Sequence, residues 1–221
     1  MKKFIFFRIS ILVIMFFVLQ VSSTFAFGGN FNPMLTQKPT VVNKDLLKSG
    51  MVFDLTIMGD PIATKEQCVS YLLRHNPFPL ITTTPKQLVD YYYLEGGIEG
   101  IRPDLAFAQA LHETGNFRYG GDVSPMQNNY SGLGTTGNGV KGAWFPSAEI
   151  GVRAQIQHLL AYTATRPPVM SVVDPRYELV KRSEKFGQSL TWTNLNGKWA
   201  VPGNTYGQMI LKIHEKIITE K

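Results

Sequence analysis

Past the first fifty or so residues, the apolar and polar positions follow a helical period. Thr64-x-x-Gln67 is a capping-box signal, in which a threonine oxygen and a glutamine oxygen each take one of the amides left free at a helix start. Val69, Leu72 and Leu73 follow at helical spacing. That helix is expected to stop at His75-Asn76-Pro77, because the residue before a proline avoids the helical region. Thr84-Pro85-Lys86-Gln87 repeats the start signal with proline at the first helical position, where no N–H is needed. Leu88, Tyr91, Tyr92 and Leu94 continue this helix, and Gly96-Gly97 is expected to end it. Pro103-Asp104 opens the next, with Leu105, Ala108 and Leu111 on one face and Gly115 just past its end. Ser147 caps a helix through Tyr162, and Asp174-Pro175 starts another. Tyr206, Met209, Ile210, Ile213 and Ile217 mark a last helix from about Thr205 to Ile218.

The period fails between Gly115 and Pro146, where Gly, Asn, Ser and Thr dominate around scattered aromatics. About 30 such residues inside a compact domain are uncommon and usually functional. Strand signals amount to one short strand near Val52 to Ile57 and a small hairpin within the long irregular segment. The expected fold class is therefore mainly α, with an irregular lobe or small β-lobe set into it.

Composition narrows the class of function. Of 221 residues, 44% are hydrophobic and 17% charged, which excludes a disordered, collagen-like or coiled-coil chain. The single Cys68 excludes an internal disulfide framework and any multi-cysteine metal site. Its place inside a predicted helix reads as a small buried hydrophobe.

Lys2, Lys3 and Arg8 precede an apolar run from Ile9 to Val21 and then Ser22-Ser23-Thr24-Phe25-Ala26, the pattern of a secretory signal. Cleavage is expected after Ala26. An uncleaved anchor is the alternative, since Phe4 to Phe7 lengthen the apolar stretch. Cleavage leaves 195 residues with 19 bases against 16 acids, so half of the formal +6 belongs to targeting. A residual +3 gives no support for nucleic-acid binding, which needs a clustered basic face. The expected organisation is a signal at 1–26, an exposed lead-in at 27–55, and one domain at 56–221 that begins with an N-terminal helical extension at 56–90. No stable membrane insertion is expected after signal cleavage.

Few residues offer chemistry. His112-Glu113 lacks the second histidine of a zinc protease, because position 116 is Asn. His75, His158 and His214 are isolated in sequence and read as surface or core groups, so no metal or other cofactor is expected. Glu113 falls in the last turn of its helix, where the negative end of the helix dipole disfavours a carboxylate. Phe117 and Tyr119 follow at once and could exclude water. Both effects raise a carboxyl pKa, as a glycosidase acid requires. The plain alternative is a helix-end glutamate paired with Arg118 or Arg102. Beyond it, Gln127-Asn128-Asn129-Tyr130-Ser131-Gly132 supplies amides, hydroxyls and an aromatic ring suited to sugars, and Trp144 and Phe145 come from the same segment. The same residues are also ordinary turn formers.

"AFAQALHETGNF", "QNNYSGLG" and "GVRAQIQHLLAY", in that order, resemble the endo-β-N-acetylglucosaminidases of glycoside hydrolase family 73, which cut peptidoglycan. "WAVPGNTYGQMILKI" resembles the family's closing helix. The likeness runs from about Tyr91 to Ile217. It implies a lysozyme-like helical domain with a small lobe over a cleft, with Glu113 as general acid and Tyr206 facing it. It also implies that Asn129 is the asparagine of the Asn-x-x-Gly turn. Phe117, Gln127, Asn128, Asn129, Tyr130 and Trp144 are the expected substrate-binding residues.

Two departures stand out. Ser131 replaces a residue that is often aromatic, and Gly132 to Pro146 carries none of the second acids many members place there. Asp122 lies before the turn and Glu149 in the next helix. A substrate-assisted route needs only one protein acid. The expected activity is a secreted or wall-associated hydrolase of peptidoglycan strands. A lytic transglycosylase and a non-catalytic wall-binding module are the alternatives.

Overall fold

The computed structural model describes residues 54–220. The expected signal and most of the expected lead-in lie outside them. The described residues fall in one compact unit, 38–221. They form six α-helices: α1 (Lys65–His75), α2 (Pro85–Glu99), α3 (Pro103–Glu113), α4 (Ala148–Thr163), α5 (Tyr177–Lys181) and α6 (Tyr206–Thr219). One-turn 3-10 helices occur at Pro125–Gln127 and Trp192–Leu195.

The starts and most of the stops follow local chemistry. The amide of Gln67 donates to Thr64 Oγ1 at 3.2 Å and that of Thr64 to Gln67 Oε1 at 2.9 Å. Thr84 and Gln87 repeat the pair. Cys68 is buried in α1, and burial pushes its thiol up to about 12. One expected stop is wrong: α2 runs through Gly96-Gly97 to Glu99 and ends at Gly100, which takes the left-handed conformation at φ 65°. Gly96 is there for a different reason. A Cβ on it would lie 2.8 Å from the carbonyl oxygen of Ile101 and 3.0 Å from Pro103 Cβ, so glycine lets the start of α3 cross α2 closely.

α3 has no polar face. Every residue from Pro103 to Leu111 is buried, with α2, α6 and α1 packed around it. Polar groups on such a helix need internal partners. Asp104 Oδ2 accepts from the amides of Ile62 (2.7 Å) and Ala63 (2.8 Å) and from His214 Nε2 (2.7 Å), which ties α3 to α6 and to the turn before α1.

Among the described residues neither the expected hairpin nor a strand over 54–57 forms. The described residues hold only the isolated bridges Thr56–Thr191, Met58–Ile101 and Asn196–Ala200. The segment facing Thr56 turns into a 3-10 helix straight after Thr191, so the ladder cannot extend. Leu55 and Ile57 are nonetheless buried.

Side chains replace the ladder in the lobe at 115–146. Gln127 Nε2 donates to the carbonyls of Lys141 (2.6 Å) and Ala143 (3.1 Å). Asn129 Nδ2 donates to the carbonyl of Leu133 (2.9 Å), and its Oδ1 accepts from the Leu133 amide (2.9 Å). Asn128 Nδ2 donates to the Phe145 carbonyl at 3.0 Å. The lobe seats on α4 at Gly151, where a Cβ would fall 1.8 Å from the Asn128 carbonyl oxygen. Only a hydrogen fits there, so this glycine sets how closely the lobe approaches the helical body.

Candidate active site

α3 delivers Glu113 to the mouth of the fold, and the turn after it is held by force. Gly115, Asn116 and Phe117 take left-handed φ values of 59°, 56° and 57°, and Tyr119 takes 60°. For bulky side chains such backbone costs about 1–3 kcal/mol each and persists only where its surroundings demand it. Here they do. The amides of Asn116, Phe117 and Tyr119 donate to the Leu111 carbonyl (2.7 Å), Thr114 Oγ1 (2.9 Å) and the Thr114 carbonyl (2.8 Å). Asn76 Nδ2 and the Leu80 amide hold the carbonyls of Asn116 and Phe117. The Phe117 ring is wholly buried against Tyr130 and Phe107, which offsets the strain by about 1.5–3 kcal/mol.

Glu113 has no cationic partner among the described residues. Arg118 donates to the carbonyls of Gly115 and His75, and Arg102 to that of Asp60. Two neutral donors take the place of an ion pair, and both use the same oxygen. Glu113 Oε1 accepts from Tyr206 Oη at 2.5 Å and from Trp199 Nε1 at 3.1 Å. Oε2 faces the opposite wall at Gly132, where an added Cβ would lie 4.0 Å away. In the neutral acid the proton therefore belongs on Oε2, the oxygen exposed to the cleft.

A buried chain fixes the direction of the Tyr206 proton. Gln155 Nε2 donates to the Ala106 carbonyl (2.9 Å), which can only accept, and to Gln109 Oε1 (2.8 Å). Gln155 Oε1 accepts from Tyr92 Oη at 2.6 Å. Gln109 must then turn its Nε2 to Tyr206 Oη, at 2.7 Å. The tyrosine accepts from the amide, and its single proton is committed to Glu113. Burial and the neighbouring Glu113 charge raise the Tyr206 pKa well above its usual range, so it remains a donor.

The carboxyl pKa of Glu113 is raised, and crowding by surrounding protein is the main cause. The hydrogen bonds from Tyr206 and Trp199 stabilise the charged form and oppose it without overcoming it. Glu113 is open to the water of the cleft on one side and hemmed in on the others. Trp199 and Tyr206, stacked with ring centres 6.3 Å apart, form part of that wall, rather than Phe117.

The cleft runs to both sides of Glu113, which lines both arms together with Gly132 and Thr135. The larger arm, about 580 Å³, is bounded by Ser131, His158, Tyr162, Arg176, Lys185, Lys198 and Trp199. Ser131 brings a buried hydroxyl that has no partner among the described residues. The smaller, about 230 Å³, is bounded by Thr114, Tyr119 and Asp122. Asp122 Oδ1 accepts from the Gly139 amide at 3.1 Å.

Of the residues singled out in the sequence, Tyr206 is the one that bonds Glu113 directly. Phe117 and Tyr130 are core rings. Gln127, Asn128 and Asn129 turn inward and brace the lobe, and Trp144 is 63% exposed and lines neither arm. His158 is buried with Nδ1 2.8 Å from Asp174 Oδ2, and its ring packs against Trp199 on the cleft wall. Trp199, Gln109, Gln155 and Tyr92 were not foreseen. Gln109 had a local signal, since it stands one helical turn before Glu113 on the same face. Trp199 had none, because its contact spans 86 residues.

A family model described as "Glucosaminidase: Mannosyl-glycoprotein endo-beta-N-acetylglucosaminidase" matches residues 89–219. An uncharacterized protein of Borreliella burgdorferi is 41% identical over 138 residues. That match covers 61% of this chain and 64% of the relative, so just under two thirds of the relative's length is spanned. No solved structure matches the chain. The matched region contains α3, α4, α5, α6 and every residue that lines the two arms of the Glu113 cleft.

Proposed function

The chain belongs to the glucosaminidase family, and from that premise we propose that it is a secreted hydrolase of peptidoglycan that cuts the β-1,4 bond following N-acetylglucosamine. The supporting observation is the arrangement at Glu113: two donors on Oε1, Oε2 facing Gly132 across the cleft, and cleft on both sides. The family description names mannosyl-glycoproteins, in which the bond cut also follows N-acetylglucosamine. Peptidoglycan is favoured here by the order of the blocks resembling wall-lytic members and by the expected signal.

In this reading Glu113 Oε2 gives its proton to the glycosidic oxygen as the bond to the anomeric carbon breaks. The carbonyl oxygen of the substrate's own 2-acetamido group closes on that carbon. Water then opens the cyclic intermediate and returns a proton to the Glu113 carboxylate. Tyr206 and Trp199 hold the carboxyl in the orientation that aims Oε2 into the cleft.

Asp122 favours a second reading, in which a carboxylate in the smaller arm activates the water directly. Asp122→Asn separates the two. Activity within about threefold of wild type is expected from the substrate-assisted route, whereas a loss of about 10²-fold or more in a folded protein would establish the two-carboxylate route.

Tyr206→Phe tests the carboxyl's environment. It removes a hydrogen bond that favours the charged form, so Glu113 should keep its proton to higher pH. The alkaline limb of the pH–rate profile is expected to move upward while kcat falls about tenfold or more through lost positioning. A downward shift of that limb would contradict the assignment.

A further inference from the structure

We infer that the larger arm of the cleft is an anion-binding subsite, in which Arg176, Lys185 and Lys198 receive a carboxylate carried by the glycan strand next to the sugar being cut. The inference rests on the glucosaminidase reading of Glu113 and names what that site selects.

All three cations line the arm and are half-buried. Among the described residues none of the three is in an ion pair, whereas Lys65, Lys86, Arg153, Arg166 and Lys181 each have a carboxylate. The two lysines have neutral partners. Lys185 Nζ donates to the Lys198 carbonyl at 3.2 Å, and Lys198 Nζ to Ser189 Oγ at 3.3 Å. These bonds orient the ammonium groups without cancelling their charge.

Glu113 is the one carboxylate lining the arm, and Asp174 stands behind the His158 ring. The smaller arm shows the opposite balance, with Asp122 and no cation. Lys198 directly precedes Trp199, whose indole donates to Glu113, so the positive arm adjoins the acid. Half-buried cations left without counter-charges are costly to a fold, and a cleft that gathers three of them is suited to a negative ligand.

A peptidoglycan strand supplies that ligand at alternate sugars. N-acetylglucosamine is neutral, but its neighbour bears a lactyl group whose carboxylate is free on bare strands. On substituted strands that carboxylate is an amide to a peptide with carboxylates of its own. A polymer of N-acetylglucosamine alone has neither. The arm therefore distinguishes the wall strand from a neutral polymer joined by the same kind of bond.

The test compares the full chain with the triple variant Arg176→Gln/Lys185→Gln/Lys198→Gln on three substrates: a chito-oligosaccharide, glycan strands stripped of peptide, and intact peptidoglycan. Charge-pair energies of this kind predict that kcat/KM falls about tenfold more on the charged strands than on the neutral one, through KM. Added salt should reduce the wild-type preference in the same direction. A selective loss already present on stripped strands assigns the lactyl carboxylate. One confined to intact peptidoglycan assigns the peptide carboxylates, and either supports the subsite. An equal loss on all three substrates, or none, would overturn it. A wild-type chain that cuts no substrate would count against the glucosaminidase reading instead. Co-sedimentation with insoluble peptidoglycan then still reads the arm: weaker binding by a folded triple variant supports it, and equal binding overturns it.

Discussion

Glu113→Gln is expected to lower kcat on peptidoglycan by about 10³-fold or more, the loss typical when a general acid can no longer give a proton. The fold should be indifferent to the change. Glutamine has the same shape, and its Oε1 can accept from Tyr206 and Trp199 as the glutamate Oε1 does. Its amide then occupies the place of Oε2 beside the cleft, where no other side chain contests it. Thermal unfolding should thus stay close to wild type while turnover collapses. The raised pKa of Glu113 also sets the pH dependence that the variant lacks. Wild-type activity should fall on the alkaline side as the carboxyl ionises, and the residual activity of Glu113→Gln should show no such limb. A variant that kept more than about a tenth of wild-type turnover would remove Glu113 from the chemistry.

Asp104→Ala carries the largest expected effect on stability. Asp104 is fully buried in α3 and serves three donors through one oxygen: the amides of Ile62 and Ala63, and His214 of α6. Removing it orphans two backbone amides and a buried imidazole together. Breaking a buried pair in this way costs about 3–5 kcal/mol, a large part of the roughly 5–15 kcal/mol that holds most domains folded. The melting temperature should fall by about 10 °C.

The pH dependence of that loss has a definite sign. Burial alone would raise the Asp104 pKa, but His214 and the amides of Ala63 and Ile62 outweigh it and hold the pKa below the usual range. The contribution to stability is then fully present above the unfolded value, about 3.9. It is lost as pH falls through the lower folded value. The gap between wild type and variant, followed by denaturant unfolding, should be constant near neutrality and narrow below about pH 4. A gap that widened on acidification would contradict the depressed pKa.

The helices were legible where their determinants are local. The two Thr-x-x-Gln boxes, Pro103 and Ser147 each act within one turn, and each helix begins where they indicate. Gly96 misled because its role is tertiary. A glycine pair looks like a stop signal, yet here one glycine admits a crossing helix while Gly100 makes the turn. The full burial of α3 was equally hidden, since its spacing of apolar residues cannot tell whether a second and third helix will cover the other sides.

At the site, Glu113 stood out for its place at a helix end, and Tyr206 through the family likeness alone. The amides at Gln127, Asn128 and Asn129 were visible as a cluster, but composition does not show whether an amide faces a ligand or the backbone of its own loop. Here each spends its bonds on the carbonyls at positions 133, 141, 143 and 145. The cationic arm was the least legible. Arg176, Lys185 and Lys198 lie in three separate turns of the C-terminal part, and only the packing of those turns around His158 and Trp199 gathers them.

The most direct test of the glucosaminidase reading is the chemistry of the new chain ends. Purified peptidoglycan would be digested with the protein, reduced with borohydride and analysed by mass spectrometry, with Glu113→Gln alongside. The account predicts reduced N-acetylglucosamine ends that the variant does not produce. Anhydro-muramic ends, reduced muramic ends, or no new ends from a folded wild-type protein would contradict it.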